Sequence, residues 1–354
     1  YGVGAVMMVR HQLSCAALIL ASLVGTTARA SITLDARADY QAVDPNAAAT
    51  TLGLGEDNAV FRIYRMRVDM KGNLSETIAY RTRLKADNAS SADVAATDSG
   101  QNKFIDFAYL THTMGEMIVT GGKIIAPVGG FESAKNPGEY YFLSKAGTET
   151  SPLLWQLGAM ASYNANGQRF DVFSTNTSEI EAVGTNGAQT KTAFGGGWKG
   201  SFGEGGWMNF LAQYMAEPYI GATSSGKQYF ALGTKLGYEA FDFEFDWLQN
   251  LYMKSYTVGN TIETRSAVAS LKYAPSKDFA AILKHENSEN VLAATAGGER
   301  NPVQYWTTSL ALEYKPLETD KFRYHIAYNH QDASRDAQVQ TMIVGFRYLG
   351  EVVP

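Results

Sequence analysis

Residues 241–247 read FDFEFDW. In an extended chain, successive side chains point to opposite faces. Phe241, Phe243, Phe245 and Trp247 then share one face, and Asp242, Glu244 and Asp246 share the other. A helical period would scatter rings and acids around the circumference instead. A soluble strand would also alternate; the number of such segments, the acid and base on the second face and the export signal together favour a barrel with lipid outside and water inside.

The same rhythm recurs along the chain. Residues 62–71, RIYRMRVDMK, put Tyr64, Met66, Val68 and Met70 opposite Arg65, Arg67 and Asp69. Residues 77–86 put Ile78, Tyr80, Thr82 and Leu84 opposite Arg81, Arg83 and Lys85. Sixteen strands are expected, at about 31–40, 59–70, 76–86, 103–113, 117–126, 153–163, 168–176, 192–202, 207–217, 228–239, 241–252, 264–273, 279–287, 304–315, 321–331 and 337–348. Short and long connections alternate between them, as periplasmic turns and external loops do in outer-membrane barrels. The loop at 332–336 is barely longer than a turn, which makes the last hairpin the least regular. Aromatics that flank the short turns, among them Tyr163, Trp207, Tyr238, Tyr273 and Tyr314, fit a girdle at one membrane interface. The fold class is therefore all-β: a transmembrane antiparallel up-and-down β-barrel of about 16 strands over residues 31–354.

Composition agrees with this. Of 354 residues only 18% are charged and 12% are aromatic, with 34 glycines and 9 prolines. Residues 1–30 read as a secretory signal peptide. Arg10 and His11 precede a short apolar core at 13–24 (LSCAALILASLV), and Ala28-Arg29-Ala30 fits a cleavage site before Ser31. Translation is expected to start at Met7 or Met8. The single cysteine, Cys15, lies inside this segment, so no disulfide framework or thiolate site is expected beyond it. The net charge of −5 makes nucleic acid a poor partner. No phosphate-loop or dinucleotide fingerprint points to a cofactor. His112, His285, His325 and His330 lack metal-binding spacing, and no nucleophile–base pair stands out, so an enzyme is not expected.

Function then falls to charges on the inner face. Arg37, Arg65, Arg67, Arg81, Arg83, Lys85 and Lys123 form an expected basic wall, with Arg65 and Arg67 beside Arg81 and Arg83 across a tight hairpin. Like charges opposite one another are unfavourable, and Asp35, Asp69 and Asp106 are near enough to offset them. Half a turn around, Glu239, Asp242, Glu244 and Asp246 form an expected acidic wall. Two opposed walls would orient polar solutes in the lumen; the alternative is that each wall is a self-neutralising ion-pair network. The longest loop, 127–152, is expected to fold inward as a constriction carrying Glu132, Lys135, Glu139, Tyr140, Tyr141 and Lys145.

Four stretches carry a family resemblance: FRIYRMRVDMKG (61–72), AYRTRLKAD (79–87), FIDFAYLTH (104–112) and VTGGKIIAPVGGFE (119–132). Together they resemble the phosphate-selective porin O and P family of Gram-negative bacteria. The resemblance implies a sixteen-strand porin, usually trimeric, with an inward third loop. The acidic wall and the scarcity of lysine in the external loops argue for a general pore rather than a phosphate-specific one. The expected function is passive diffusion of small hydrophilic solutes and ions through the cell outer membrane. The alternative is a closed-lumen structural or adhesive barrel. Expected partners are outer-membrane lipid and lipopolysaccharide, the barrel-assembly machinery and two further copies in a homotrimer.

Overall fold

Alternation becomes architecture when each strand turns its rings outward. In the computed structural model, Phe241, Phe243, Phe245 and Trp247 are exposed on the outside, while Glu244 and Asp246 are buried on the inside. Residues 30–51, 56–85, 105–135, 141–150, 155–182, 188–217, 226–252, 261–293, 300–316, 321–334 and 336–353 are described; the expected signal segment falls outside them up to residue 29.

Sixteen strands form: β1 (Ala30–Pro45), β2 (Asn58–Asn73), β3 (Ile78–Lys85), β4 (Ile105–Met114), β5 (Met117–Ile125), β6 (Trp155–Ala165), β7 (Gln168–Ala182) and β8 (Ala188–Phe202) make one half. The other half is β9 (Met208–Glu217), β10 (Lys227–Tyr238), β11 (Phe241–Tyr252), β12 (Thr261–Tyr273), β13 (Phe279–Ala293), β14 (Arg300–Tyr314), β15 (Phe322–Ala333) and β16 (Ala337–Val353). Each pairs antiparallel with its sequence neighbour, and β1 pairs with β16 to close the barrel. The last hairpin is fully paired, from Phe322↔Tyr348 to Ala333↔Ala337. Short helices lie in the loops: α1 (Ala47–Thr51) after β1, and α2 (Gly130–Ala134) and α3 (Lys145–Thr150) between β5 and β6.

The partition is inside-out. Phe61 is 82% exposed on the outer face, whereas Arg37 on the inner face is 1% exposed. That is the arrangement a lipid solvent demands. At the short-turn end the outer rings touch: Phe241 stacks on Tyr273 at 4.7 Å and Phe322 on Phe346 at 5.9 Å. The β6–β7 turn is Asn166-Gly167, both with positive φ (51° and 75°), the two-residue turn that matches hairpin twist.

The structure departs from the simple alternation in two ways. Several strands run past their expected ends, as β13 does to Ala293 and β7 to Ala182. Past the expected end of β13 the facing positions Glu289 and Arg265 are both charged, so pairing continues where the apolar rhythm stops. β2 also contains a bulge: Arg37 faces Arg65 and Ala38 faces Ile63, which leaves Tyr64 unpaired. The extra residue reverses the phase. Tyr64 turns inward under Arg37, with the guanidinium 4.4 Å from its ring, while Ile63 and Phe61 turn out.

Closure is bolted by a side-chain hydrogen bond as well as by the backbone. His325 Nε2 lies 2.8 Å from Asp39 Oδ1, spanning from β15 to β1 across β16. Gly345 of β16 is cross-strand neighbour to both. A Cβ there would lie 2.9 Å from His325 Nε2 and closer still to Asp39 Oδ1. Gly345→Val is therefore expected to destabilise the folded barrel by about 1–3 kcal/mol through overpacking. Urea titration in detergent, followed by tryptophan fluorescence, measures it; an unchanged midpoint would show that the Asp39–His325 bridge needs no space at residue 345.

Candidate functional site

The loop after β5 turns into the barrel on two glycines in left-handed backbone, Gly129 (φ 85°) and Gly130 (φ 74°). Many of its bonds run to inner-face side chains of distant strands. Gly130 N donates to Gln213 Oε1 of β9 at 2.9 Å. Phe131 N and Glu132 N donate to the two oxygens of Asp246 on β11, at 3.0 and 2.8 Å. Glu132 accepts Ser144 N at 3.1 Å and binds Lys284 of β13, whose Nζ also reaches the Phe142 carbonyl at 2.8 Å. Tyr141 donates to Glu313 Oε1 of β14 at 2.7 Å, and Lys145 N donates to Glu286 Oε1 of β13 at 2.8 Å. Burial pushes the Tyr141 phenol above its usual range, which keeps it a donor to Glu313.

Apolar contacts complete the docking. Phe131 packs with Ala146, Leu211, Ala231 and Leu248, and Tyr141 packs with Ala311, Ala327 and Ile343. Glu139 and Tyr140, also expected in the constriction, lie outside the described residues. Lys135 pairs with Glu244, and the Lys145 ammonium sits 4.5 Å from the Tyr305 ring centre.

The expected basic wall is largely a neutralised network. Asp69 holds two arginines at once: Arg81 through Nε at 3.0 Å and Nη2 at 2.7 Å, and Arg83 through Nη2 at 2.8 Å. Asp69 faces Arg83 across the hairpin, and Arg67 faces Lys85. The expected juxtaposition of Arg65 and Arg67 with Arg81 and Arg83 is thus corrected by register: an acid interleaves them. Arg67 pairs with Asp106 of β4 at 2.9 Å. Arg37 is not open lining either, because Asp39 takes its guanidinium at 2.8 Å and the Tyr141 ring covers it at 4.7 Å. Arg65 is also buried. Arg81 keeps the most open side chain of the paired set, at 37%.

Lys123 belongs to the other face. Its cross-strand neighbours are Ala108 and Leu157, and Leu157 is exposed on the outside. Its ammonium donates to the Ile105 carbonyl at 2.6 Å. Gly122, with φ 128°, occupies the inward position where a lysine was expected.

The acidic wall is rearranged too. Glu239 is not on β10; it is exposed in the two-residue turn to β11, with φ 50°. Glu244 is held by Lys235 at 3.0 Å as well as by Lys135. Asp242 faces Lys272 across β11 and β12.

Between the loop and the short-turn end of β10–β16 lies a cavity of about 440 Å³. Eight basic and five acidic side chains line it. Most are committed: Lys135 and Lys235 to Glu244, Lys284 to Glu132, Arg323 to Glu313 and Arg347 to Asp35. Among the described residues, Lys272, Lys321 and Asp242 make no such bond.

Barrel closure adds two arginines that sequence reasoning missed. Arg323, Arg347, Arg37 and Arg65 are successive cross-strand neighbours on β15, β16, β1 and β2. Asp35 takes Arg347 through Nε at 2.7 Å and Nη2 at 2.8 Å. Extending the inner-face phase to the last strands would have marked Lys284, Glu286, Glu313 and Arg323; it could not have shown which residues meet.

The family model described as phosphate-selective porin O and P matches residues 31–240. No curated protein sequence matches the chain. Among solved structures, the chain is similar to the anion-selective porin from Comamonas acidovorans, at 11% identity and TM-score 0.62, covering 91% of this chain and 100% of that one. It is similar to the outer-membrane channel DcaP of Acinetobacter baumannii at 12% identity and TM-score 0.62, covering 91% and 97%. A loop-deletion form of OmpT from Vibrio cholerae gives 10% identity and TM-score 0.63, covering 92% and 100%. Likeness at this identity carries the fold, a closed sixteen-strand porin barrel. The chain belongs to the phosphate-selective porin O and P family and is an outer-membrane channel for small solutes and ions.

Proposed function

We propose that the channel favours small anions, and that uncommitted lysines in the cavity beneath the inward loop set this preference. The observation that carries it is the charge of that cavity: basic side chains outnumber acids eight to five, and the acids are mostly held by partners. Lys272 and Lys321 stand ready for a passing ion. A cluster of fixed charge in a confined lumen raises the local concentration of the opposite sign. The strand-eleven acids oppose an anion less than their sequence suggests, because Glu244 and Asp246 are bonded to Lys135 and to the loop backbone. Phosphate, which the family description names, is one anion that suits such a site. The family and the fold are those of a channel rather than of an enzyme.

The remaining assignments belong to the same reading. The exposed outer rings support contact with outer-membrane lipid and lipopolysaccharide. A trimer form is described for the similar Vibrio cholerae OmpT, and a homotrimer is proposed for this chain. Removal of residues 1–30 as a signal peptide and insertion by the barrel-assembly machinery complete the path to the membrane.

In planar bilayers across a potassium chloride gradient, the protein is expected to give a reversal potential of chloride-over-potassium sign. The double variant Lys272→Ala, Lys321→Ala should lower that permeability ratio by about twofold or more. Cation preference in the unaltered protein would overturn the assignment.

Asp69 supplies a second test with the opposite sign. Asp69→Asn removes a lumen carboxylate and frees Arg81 and Arg83, so the anion ratio should rise. The folded barrel should also lose about 1–3 kcal/mol, toward the lower end because Arg81 is partly exposed. Reversal potential and urea midpoint read the two effects; a fall in the anion ratio would contradict the charge map.

A further inference from the structure

We propose that Asp246 is a positioning residue that sets the bore of the channel by holding the inward loop, and that it does not act as an ion-selecting charge. The inference rests on the porin reading and deepens it. Asp246 is 3% exposed. Both its oxygens are taken by the backbone N–H groups of Phe131 and Glu132. A carboxylate that selects ions must be open to solution; Asp246 borders the cavity, but its exposure is small and both oxygens are turned to the loop.

Two further positions are cut away to let the contact form. A Cβ at Gly130 would lie 2.7 Å from Asp246 Cγ and Oδ1, and φ of 74° there already disfavours any side chain. Gly233 of β10 is the cross-strand neighbour of Asp246. A Cβ at Gly233 would lie 2.7 Å from Phe131 Cδ2 and closer still to Asp246 Oδ1. Two strand residues and one loop residue, remote in sequence, thus serve one hydrogen-bonded joint. Open lining would need neither glycine.

The joint also governs the rest of the loop. Glu132, whose N–H is held by Asp246, binds Ser144 and Lys284 with its own carboxylate, and Lys284 holds the Phe142 carbonyl. Releasing residues 131 and 132 from β11 therefore loosens both arms of the loop.

The test compares Asp246→Asn with Gly130→Ala in the full-length protein. Asp246→Asn sets an amide N–H against a backbone N–H and removes a charge. Gly130→Ala disturbs the same joint with every charge retained, and it lies on the loop, outside the barrel ladder. Single-channel conductance, open-channel current noise and the size limit for neutral polyethylene glycols are measured in planar bilayers, with heat-modifiable gel migration reporting folding. Both variants should raise current noise and change conductance by at least about 1.5-fold, since the narrowest section dominates the resistance of a pore. Gly130→Ala, with every charge retained, should shift the chloride-to-potassium ratio less than the double variant Lys272→Ala, Lys321→Ala does. The proposal is overturned if Gly130→Ala leaves conductance, noise and polymer exclusion unchanged, or if Asp246→Asn shifts only the ion ratio. Absence of any conductance in the unaltered protein would instead sink the porin reading.

Discussion

A strand edge in hydrocarbon exposes N–H and C=O groups that find no water, each unsatisfied group costing several kcal/mol. The pairing of β1 with β16 removes the last such edge, from Ile32↔Val353 to Pro45↔Val339. Everything else in this protein depends on that closure. It forces each strand to have one lipid face and one lumen face, and it joins residues some 300 positions apart in sequence into one inner surface.

Inside the ring, polar groups meet a second constraint. Charges withdrawn from bulk water need partners. The interior answers with interleaved pairs: Asp69 between Arg81 and Arg83, Asp106 on Arg67, Asp35 on Arg347 and Asp39 between Arg37 and His325. At the closure seam Asp35, Asp39 and Glu313 make a row of arginines tolerable. Among the described cavity residues, the charges that make no such bond are Lys272, Lys321 and Asp242, below the loop.

The loop obeys the same logic. A segment that enters the lumen brings backbone N–H groups with it, and these too need acceptors. Asp246, Gln213, Glu286 and Ser266 accept them. Acids that look in sequence like a pore wall are therefore partly the mounting of the constriction. A channel built this way separates bore from ion preference: one depends on how the loop is held, the other on which charges remain open to solution.

Alternation in residues such as 241–247 determined the fold by itself, because hydrocarbon and water on opposite faces write a period of two directly into residue type. All sixteen strands were legible for that reason, and so was the existence of an inward charge set and a long third loop. Their limits were not, because pairing continues after the apolar rhythm stops, as at Glu289 and Arg265. Phase failed wherever the backbone departed from regular pleating: the bulge at Tyr64 turned a ring inward, and Lys123 fell on the outer face beside Gly122. Partners were decided only by tertiary structure. Register put Asp69 rather than an arginine opposite Arg83, closure brought Arg323 and Arg347 to Arg37, and the loop's path made Asp246 an anchor. Periodicity records which solvent a side chain faces; it holds no information about which distant side chain will share that solvent with it.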